Sequence, residues 1–342
     1  MTSGDGRLSP VRGPLPKAVL VTGGAGFIGS NACKALDRAG YLPVAFDDLS
    51  TGHADAVRWG PLVRGDVRDR QAVIRAMEAH GVSSVIHFAA KAYVGESVVD
   101  PAPYYDTNVG GMISLLAACR SAGIMHLVFS SSCATYGVPD SLPLRETAPQ
   151  RPVNPYGHTK LMGEQMLRDH GAAYGLRSVI LRYFNAAGAD PEGEVSERHA
   201  PETHLIPLAL RATAGPESAL RILGTDYQTP DGTCIRDYIH VTDLARAHVL
   251  ALNHLLAGGD SIALNLGTGR GHSVQEIVAA VGRVTGRAPH VHAAPRREGD
   301  PPELVADPAL ARDVLGFMPE RSDIDTILRD AAPTFGVGLA DA

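Results

Sequence analysis

Tyr156 and Lys160 lie four residues apart in the stretch Asn154-Pro155-Tyr156-Gly157-His158-Thr159-Lys160. Asn154 is suited to cap a helix whose first position is Pro155. On such a helix, residues four apart share a face. A phenol titrates near ~10 in water, so it needs a neighbouring positive charge to act as a base at neutral pH. An ammonium one helical turn away can supply part of that charge. With ten tyrosines and four lysines in 342 residues, roughly 0.1 such spacings arise by chance, so the pair needs a context.

Two further segments supply one. The stretch from Phe129 to Gly137, FSSSCATYG, reads as an apolar strand ending in hydroxyls. Open α/β sheets bind their ligands at strand ends. Ser132 is placed there to hold a substrate hydroxyl beside Tyr156. The second segment, VLVTGGAGFIG from Val19 to Gly29, is a strand, a glycine loop and a helix start. Two registers fit, Gly24-x-Gly26-x-x-Gly29 and Gly23-x-x-Gly26-x-x-Gly29. Either lets the backbone approach a pyrophosphate and aims a helix N-terminus at it. Asp47 follows at the end of the next strand, where a carboxylate accepts from a ribose diol and repels a 2′-phosphate, favouring NAD over NADP.

The elements that must position these residues follow a repeated order. Ala18–Val21, Leu42–Phe46, Val85–Ala90, Leu127–Ser131 and Ser178–Leu181 read as strands with helical stretches between them. The first helix, Phe27 to Ala39, stops at Gly40. This order predicts an α/β, Rossmann-type, doubly wound parallel sheet with helices on both faces. After Asn185 the composition shifts towards Gly, Pro, Glu and Thr. We therefore expect an NAD-binding domain over 17–187, with 238–266 returning to it. The smaller C-terminal α/β lobe is expected over 188–237 and 267–335. Residues Phe335 to Ala342 carry no helical pattern and are read as a loose tail.

Composition excludes several classes. Hydrophobic residues make up 44% and charged residues 20%, and the net charge is −6; there is no basic stripe for nucleic acid. No apolar run reaches the ~18 residues of a membrane span. Cys33, Cys119, Cys133 and Cys234 are scattered and form no CxxC pair, so free thiols are expected, and neither disulfides nor a metal site. Residues 1–16 lack a signal-peptide core and read as a disordered extension. A cytoplasmic protein is the expectation.

The ordered set VTGGAGFIGS, GDVRD, VIHFAA, VGES, YYDTNV, FSSSCATYG, NPYGHTK, LRYFNAAGADP, GTDYQTPDGTCIRDYIHVTDLA, LNLGTG and PRREGDPP resembles the extended short-chain dehydrogenase/reductase family across residues 17–330. Within that family it is similar to the branch that epimerises UDP-sugars at C4. The resemblance implies a catalytic Ser132, Tyr156 and Lys160. It places dinucleotide contacts on Gly23, Gly26, Phe27, Ile28, Gly29, Asp47, Asp66, Val67, Phe88, Ala89, Asn108, Tyr156, Lys160 and Tyr183. It places UDP-sugar contacts on Ser132, Tyr156, Asn185, Leu223, Arg236, Leu264, Arg297 and Asp300, with Leu264 at the position whose size tunes the sugar pocket. It also implies a homodimer. The arginines suit this independently, because a guanidinium matches phosphate oxygens in a two-pronged geometry.

Besides Leu264, whose intermediate size leaves the sugar specificity open, two departures and one contrast stand out. A cofactor-reaching lysine of the family is represented by Lys91, one position early. The family's paired asparagines before Leu-x-Pro are Thr203-His204. Related 4,6-dehydratases carry an Asp-Glu pair, and related decarboxylases a Glu, where Cys133 and Ala134 stand; elimination and decarboxylation therefore lose their acid and base. The expected activity is transient oxidation at C4, hydride return to the opposite face and regeneration of NAD, acting on UDP-glucose/UDP-galactose. Alternatives are UDP-xylose/UDP-arabinose or UDP-N-acetylhexosamine as substrate, a net oxidoreductase that releases NADH, and a non-catalytic NAD-binding protein.

Overall fold

Residues 17–297 and 300–340 are described by the computed structural model; the expected N-terminal extension lies outside them. Thirteen strands occur among these residues: β1 Ala18–Thr22, β2 Leu42–Asp47, β3 Leu62–Arg64, β4 Val82–His87, β5 His126–Ser132, β6 Arg177–Tyr183, β7 Asn185–Ala187, β8 Leu220–Leu223, β9 Ile235–His240, β10 Ile262–Leu266, β11 Gly271–Ser273, β12 Val291–Ala294 and β13 Glu303–Leu304. Seven form one sheet in the order β10-β6-β5-β4-β1-β2-β3, every pairing parallel. The chain starts at β1, builds outward to β3, then returns to β4 on β1's other side. The reversal leaves a crevice at the carboxyl ends of β1 and β4.

The strands of a parallel sheet are apolar on both faces because helices cover both. On one face Leu20, Val85, Leu127 and Ile180 pack with Val73 and Met77 of helix Arg70–His80, Leu115 and Leu116 of Gly111–Ala122, and Leu167 of Pro155–Tyr174. On the other, Val19, Val21, Val128 and Leu181 meet Leu36 of helix Phe27–Arg38 and Leu244, Leu252 and Leu255 of Val241–Leu256. Gly40 adopts φ +82° just beyond the first helix, as a terminating glycine should.

β4 ends at His87, three residues before the expected limit. Both Phe88 N and Ala89 N donate to the Thr22 carbonyl, which turns the chain across the end of β1. β3 escaped the sequence reading; three residues are too few to show a period.

A second core unites Ile206 and Leu210 of helix Leu205–Arg211, Ile277 and Val281 of Val274–Thr285, and Ile327 and Leu328 of Ile324–Ala331. Beside it β9 pairs with β7, β11 and β13. The stretch 238–266 thus divides its elements: β9 lies in the small sheet, the helix after it covers the main sheet, and β10 extends that sheet. The tail corrects the loose reading: Phe335 and Val337 pack on the second core, and Ala340 N donates to the Val284 carbonyl at 2.9 Å. No helix among the described residues is long and apolar enough to cross a membrane.

Candidate active site

The glycine loop lies at the crevice, and its glycines differ in what they avoid. A Cβ on Gly29 would come within 2.0 Å of the Gly23 carbonyl oxygen, and one on Gly23, at φ +72°, within 2.7 Å of Ala89 N. Both are required by the fold. A Cβ on Gly26 would only brush the Gly23 oxygen at 3.4 Å. Gly26 is also the N-cap of helix Phe27–Arg38 and offers no side-chain cap. Bare N–H groups and an absent side chain at one point fit the close approach of a phosphate. The cavity in front is lined by Gly26, Phe27, Ser30, Thr51 and His53, and roofed by Ser196, Arg198 and His199.

Asp47 closes β2 next to this loop. One carboxylate oxygen accepts from Ala25 N at 3.0 Å and the other from Leu49 N at 2.8 Å. Burial raises its pKa, and those backbone donors oppose the rise. Asp66 follows β3 and accepts from the Arg68 guanidinium at 3.0 Å; this pairing holds its carboxyl low. Val67 packs on Gly111, where a Cβ would collide with it at 2.6 Å. Phe88 and Ala89 follow β4, with the Phe88 ring against His248 at 4.6 Å. Ile28 packs into the sheet core.

Asn108 is differently engaged. Its amide accepts from Lys91 N at 2.8 Å and donates to the Lys91 carbonyl at 3.0 Å and to Thr159 Oγ1 at 2.9 Å. It ties the loop after β4 to the Tyr156 helix, so its side chain is already committed. Lys91 meets Asn108 through its backbone.

Helix Pro155–Tyr174 begins as expected, with Asn154 Oδ1 accepting from Gly157 N at 2.8 Å and Pro155 at the first position. Tyr156 is 6% exposed. Its backbone N–H donates to Ser97 Oγ of the VGES segment at 3.3 Å. Burial raises the phenol's pKa, the nearby Tyr183 adds to the rise, and the Ser132 hydroxyl pulls against it. Lys160 Nζ lies 5.8 Å from the Tyr156 ring centroid and donates to the Ser130 carbonyl at 2.8 Å. Burial pushes its ammonium down to about 7. Ser132 Oγ, at the end of β5, accepts from Ala134 N at 3.1 Å. Tyr183, ending β6, shares a 2.8 Å hydrogen bond with Ser130 Oγ. Tyr156, Lys160, Ser132 and Tyr183 thus come together.

Across the crevice, Arg236 and Asp300 meet at 2.5 Å, and Arg236 also donates to the Pro301 carbonyl at 2.8 Å. Arg236 is buried and Arg297 exposed. Asn185 opens β7, opposite Tyr238, and Leu223 ends β8, opposite Ala294.

The NAD dependent epimerase/dehydratase family model matches residues 19–267. The chain belongs to this family. Among its relatives, UDP-glucose 4-epimerase of Rhizobium meliloti (strain 1021) is 55% identical over 302 residues, 88% of this chain and 92% of that one. The crystal structure of UDP-glucose 4-epimerase from Brucella ovis in complex with NAD is 60% identical, with a TM-score of 0.92, covering 95% of this chain and 100% of that one. The enzyme from Stenotrophomonas maltophila, with bound NAD and formylated UDP-arabinopyranose, is 42% identical, with a TM-score of 0.90, covering 94% and 98%.

One expectation for this epimerase/dehydratase-family chain needs correction. Leu264 is 0% exposed and lies in the core of the main sheet among Val128, Val179 and Leu252. A side chain sealed there sets core volume and does not border an open pocket. Leu304, also buried at 8% exposed, has different neighbours. It packs with Cys133 and Phe184, the neighbours in sequence of Ser132 and Asn185, and pairs across β13 with Arg236.

A buried buttress also went unread. Glu164 accepts from Arg182 at 2.9 and 2.7 Å, from Ser131 Oγ at 2.7 Å and from Gln150 at 3.0 Å. Arg182 also reaches Tyr136, whose hydroxyl donates to Asn265. Glu164 follows Lys160 by four residues, so helical spacing from Tyr156 was the available signal.

Proposed function

We propose that this chain is an NAD-dependent UDP-sugar 4-epimerase acting on UDP-glucose and UDP-galactose. The observation that carries the reading is the meeting of Tyr156, Lys160 and Ser132 beside the glycine loop, with Cys133 and Ala134 where elimination would need carboxylic acids. Gly26, the helix N-terminus behind it and Asp47 would hold the dinucleotide. Bound NAD supplies a hydride acceptor at C4 of the sugar and the donor for its return.

The protein's own residues manage the proton and the oxygen. Tyr156 as phenolate takes the C4 hydroxyl proton and later gives it back. Its buried phenol resists ionisation on its own, so positive charge brought alongside is what makes the base available. Lys160 provides one such charge, and Ser132 holds the C4 oxygen. Arg236 and Arg297 bind the diphosphate, leaving the sugar free to present either face.

The enzyme works in the cytoplasm as a homodimer. Ile113 on helix Gly111–Ala122 and Met162 on the adjoining Pro155–Tyr174 are exposed apolar side chains suited to pairing with a second copy.

The test is to incubate purified protein with UDP-galactose, UDP-N-acetylgalactosamine and UDP-xylose separately, without an added electron acceptor, and to identify products by NMR. UDP-galactose should equilibrate with UDP-glucose while no free NADH accumulates. Stoichiometric NADH release would mark a net oxidoreductase, and NAD binding without turnover a non-catalytic protein.

A further inference from the structure

The segment from Glu197 to His204 places four metal-ligand side chains on alternate or near-alternate positions: Glu197, His199, Glu202 and His204. One donor atom of each lies within 4.8 Å of the other three. His199 Nδ1 is 3.3 Å from Glu197 Oε1 and 3.4 Å from Glu202 Oε2. His204 Nδ1 is 3.2 Å from Glu197 Oε1 and 2.8 Å from Glu202 Oε1. Ligands at the ~2.0–2.2 Å bond lengths of tetrahedral zinc stand roughly 3.3–3.6 Å from one another. Three of the four separations lie within about 0.1 Å of that range; the fourth is a hydrogen bond from His204 to the other Glu202 oxygen, which an ion would replace.

The polar atoms themselves call for an occupant. His199 Nδ1 and Glu202 Oε2 are buried and have no hydrogen-bond partner. The Glu197 and Glu202 side chains are 4% and 1% exposed. Among the described residues no lysine or arginine pairs with either; the intervening Arg198 turns away to Asp55 at 3.0 Å. Two carboxylates removed from water need positive charge between them. The remaining oxygen of Glu202 is fixed by Thr203 N at 2.8 Å and His204 N at 2.9 Å, so the carboxylate is held in orientation before any ion arrives.

We propose that Glu197, His199, Glu202 and His204 bind one divalent transition-metal ion, of which zinc is the best fit to a mixed imidazole and carboxylate set. The ion would fasten the segment that roofs the phosphate-loop cavity. His199 stands edge-on to Phe27, with ring centroids 6.4 Å apart, and edge-on to Tyr93 at 6.0 Å. A metal locking His199 therefore fixes the roof against the first residue of the phosphate-loop helix. The half-exposed His204 provides the way in. The ion would be structural, and the hydride chemistry proposed above does not depend on it.

The test uses the full, untagged chain with its dinucleotide bound. The protein is treated with chelator, reloaded with Zn²⁺ or Co²⁺, separated from free ion and analysed by inductively coupled plasma mass spectrometry and visible spectroscopy. Wild type should retain one ion per chain, and the cobalt form should show d–d absorption of a nitrogen and oxygen site. Glu202→Gln and, separately, His204→Ala should weaken binding by at least the ~10–100-fold that loss of an outer-shell partner costs. The half-exposed His204 can be removed without opening the core, so its variant remains informative if Glu202→Gln folds poorly. Retention of less than one ion by wild type overturns the proposal, leaving the four residues as an ion-pair network between imidazolium and carboxylate. One ion held equally by wild type and both variants overturns it as well.

Discussion

Lys160 donates to the Ser130 carbonyl at 2.8 Å, so the ammonium that stands beside Tyr156 also pins the Tyr156 helix to the strand that ends in Ser132. Base, helper and hydroxyl are therefore not three independent placements.

Tyr156→Phe removes only the hydroxyl from this arrangement. The ring keeps its packing, and the backbone bond to Ser97 is untouched. Turnover of UDP-galactose should fall by at least the ~100- to 10,000-fold that general base catalysis contributes. Folding and dinucleotide content should persist, checked by thermal melting and by absorbance of cofactor released on denaturation. Near-normal turnover would refute the assignment of the base.

Lys160→Met should separate stability from activity. Burial lowers the ammonium from 10.5 to about 7. Between those values the folded protein holds fewer protons than the unfolded chain, so stability rises with pH across that window. Cofactor-free wild type should therefore gain stability from this group between about pH 7 and pH 10, and the variant should lack this part of the slope. The melting-temperature advantage of Lys160→Met should be largest at the acid end and shrink as pH rises, while its turnover is lost. An advantage that grows with pH would contradict the buried-amine account.

Glu164→Gln tests the buttress. Burial alone would raise this carboxyl, but the Arg182 guanidinium, helped by Ser131 and Gln150, outweighs it and holds the pKa low. Gln would leave Arg182, itself 3% exposed, without its countercharge. Breaking such a buried pair costs about 3–5 kcal/mol. The wild-type contribution is present above the ordinary carboxylate range and is lost as pH falls through the depressed folded value. Urea denaturation at neutral pH should show the loss, with the two proteins converging in acid. A loss below about 1 kcal/mol would place the pair among ordinary surface contacts.

What the sequence disclosed, and what it hid, follows from the range of each interaction. Asn154, Pro155, Tyr156 and Lys160 belong to one helix, so spacing placed them correctly. The glycine loop was legible because its spacing is local, Gly29 folding back on Gly23, although the Ala89 contact that also demands Gly23 comes from another strand's end. Arg182 and Glu164 lie on a strand and a helix that meet only in the packed molecule; helical spacing puts Glu164 on the Tyr156 and Lys160 face, but nothing near either residue names the other as its partner. Leu264 and Leu304 show the same limit: both sit in short strands, and only packing distinguishes the one among the main-sheet residues from the one beside Cys133. The donor set from Glu197 to His204 is local, but an irregular segment has no period from which convergence could be read.

Gly26→Ala and Gly23→Ala should diverge. The Gly26 methyl meets only the Gly23 oxygen at 3.4 Å, whereas the Gly23 methyl meets Ala89 N at 2.7 Å at a positive φ. Gly26→Ala should fold with a melting temperature near wild type and bind NAD at least about tenfold more weakly by calorimetry, a loss of ~1.4 kcal/mol. Gly23→Ala should lose stability through both strain and collision. Full NAD affinity in Gly26→Ala would show that the bare helix start is not where the pyrophosphate rests.

Leu304 and Leu264 offer the sharpest contrast, because the same chemistry at the two positions should change different properties. Leu264→Ala opens a cavity in the main sheet and should cost about 2–5 kcal/mol in denaturation. It should leave the ratio of kcat/KM for UDP-N-acetylgalactosamine and UDP-galactose where it was. Leu304→Gly removes a side chain that clusters with Cys133 and Phe184 and pairs across the small sheet with Arg236. With the sugar held between Ser132 and Arg236, as the proposed function has it, the vacated space would admit a bulkier substituent, so that ratio should rise by at least about tenfold, ~1.4 kcal/mol of differential transition-state binding. A ratio that moves with Leu264 and not with Leu304 would reverse the placement argued from their neighbours.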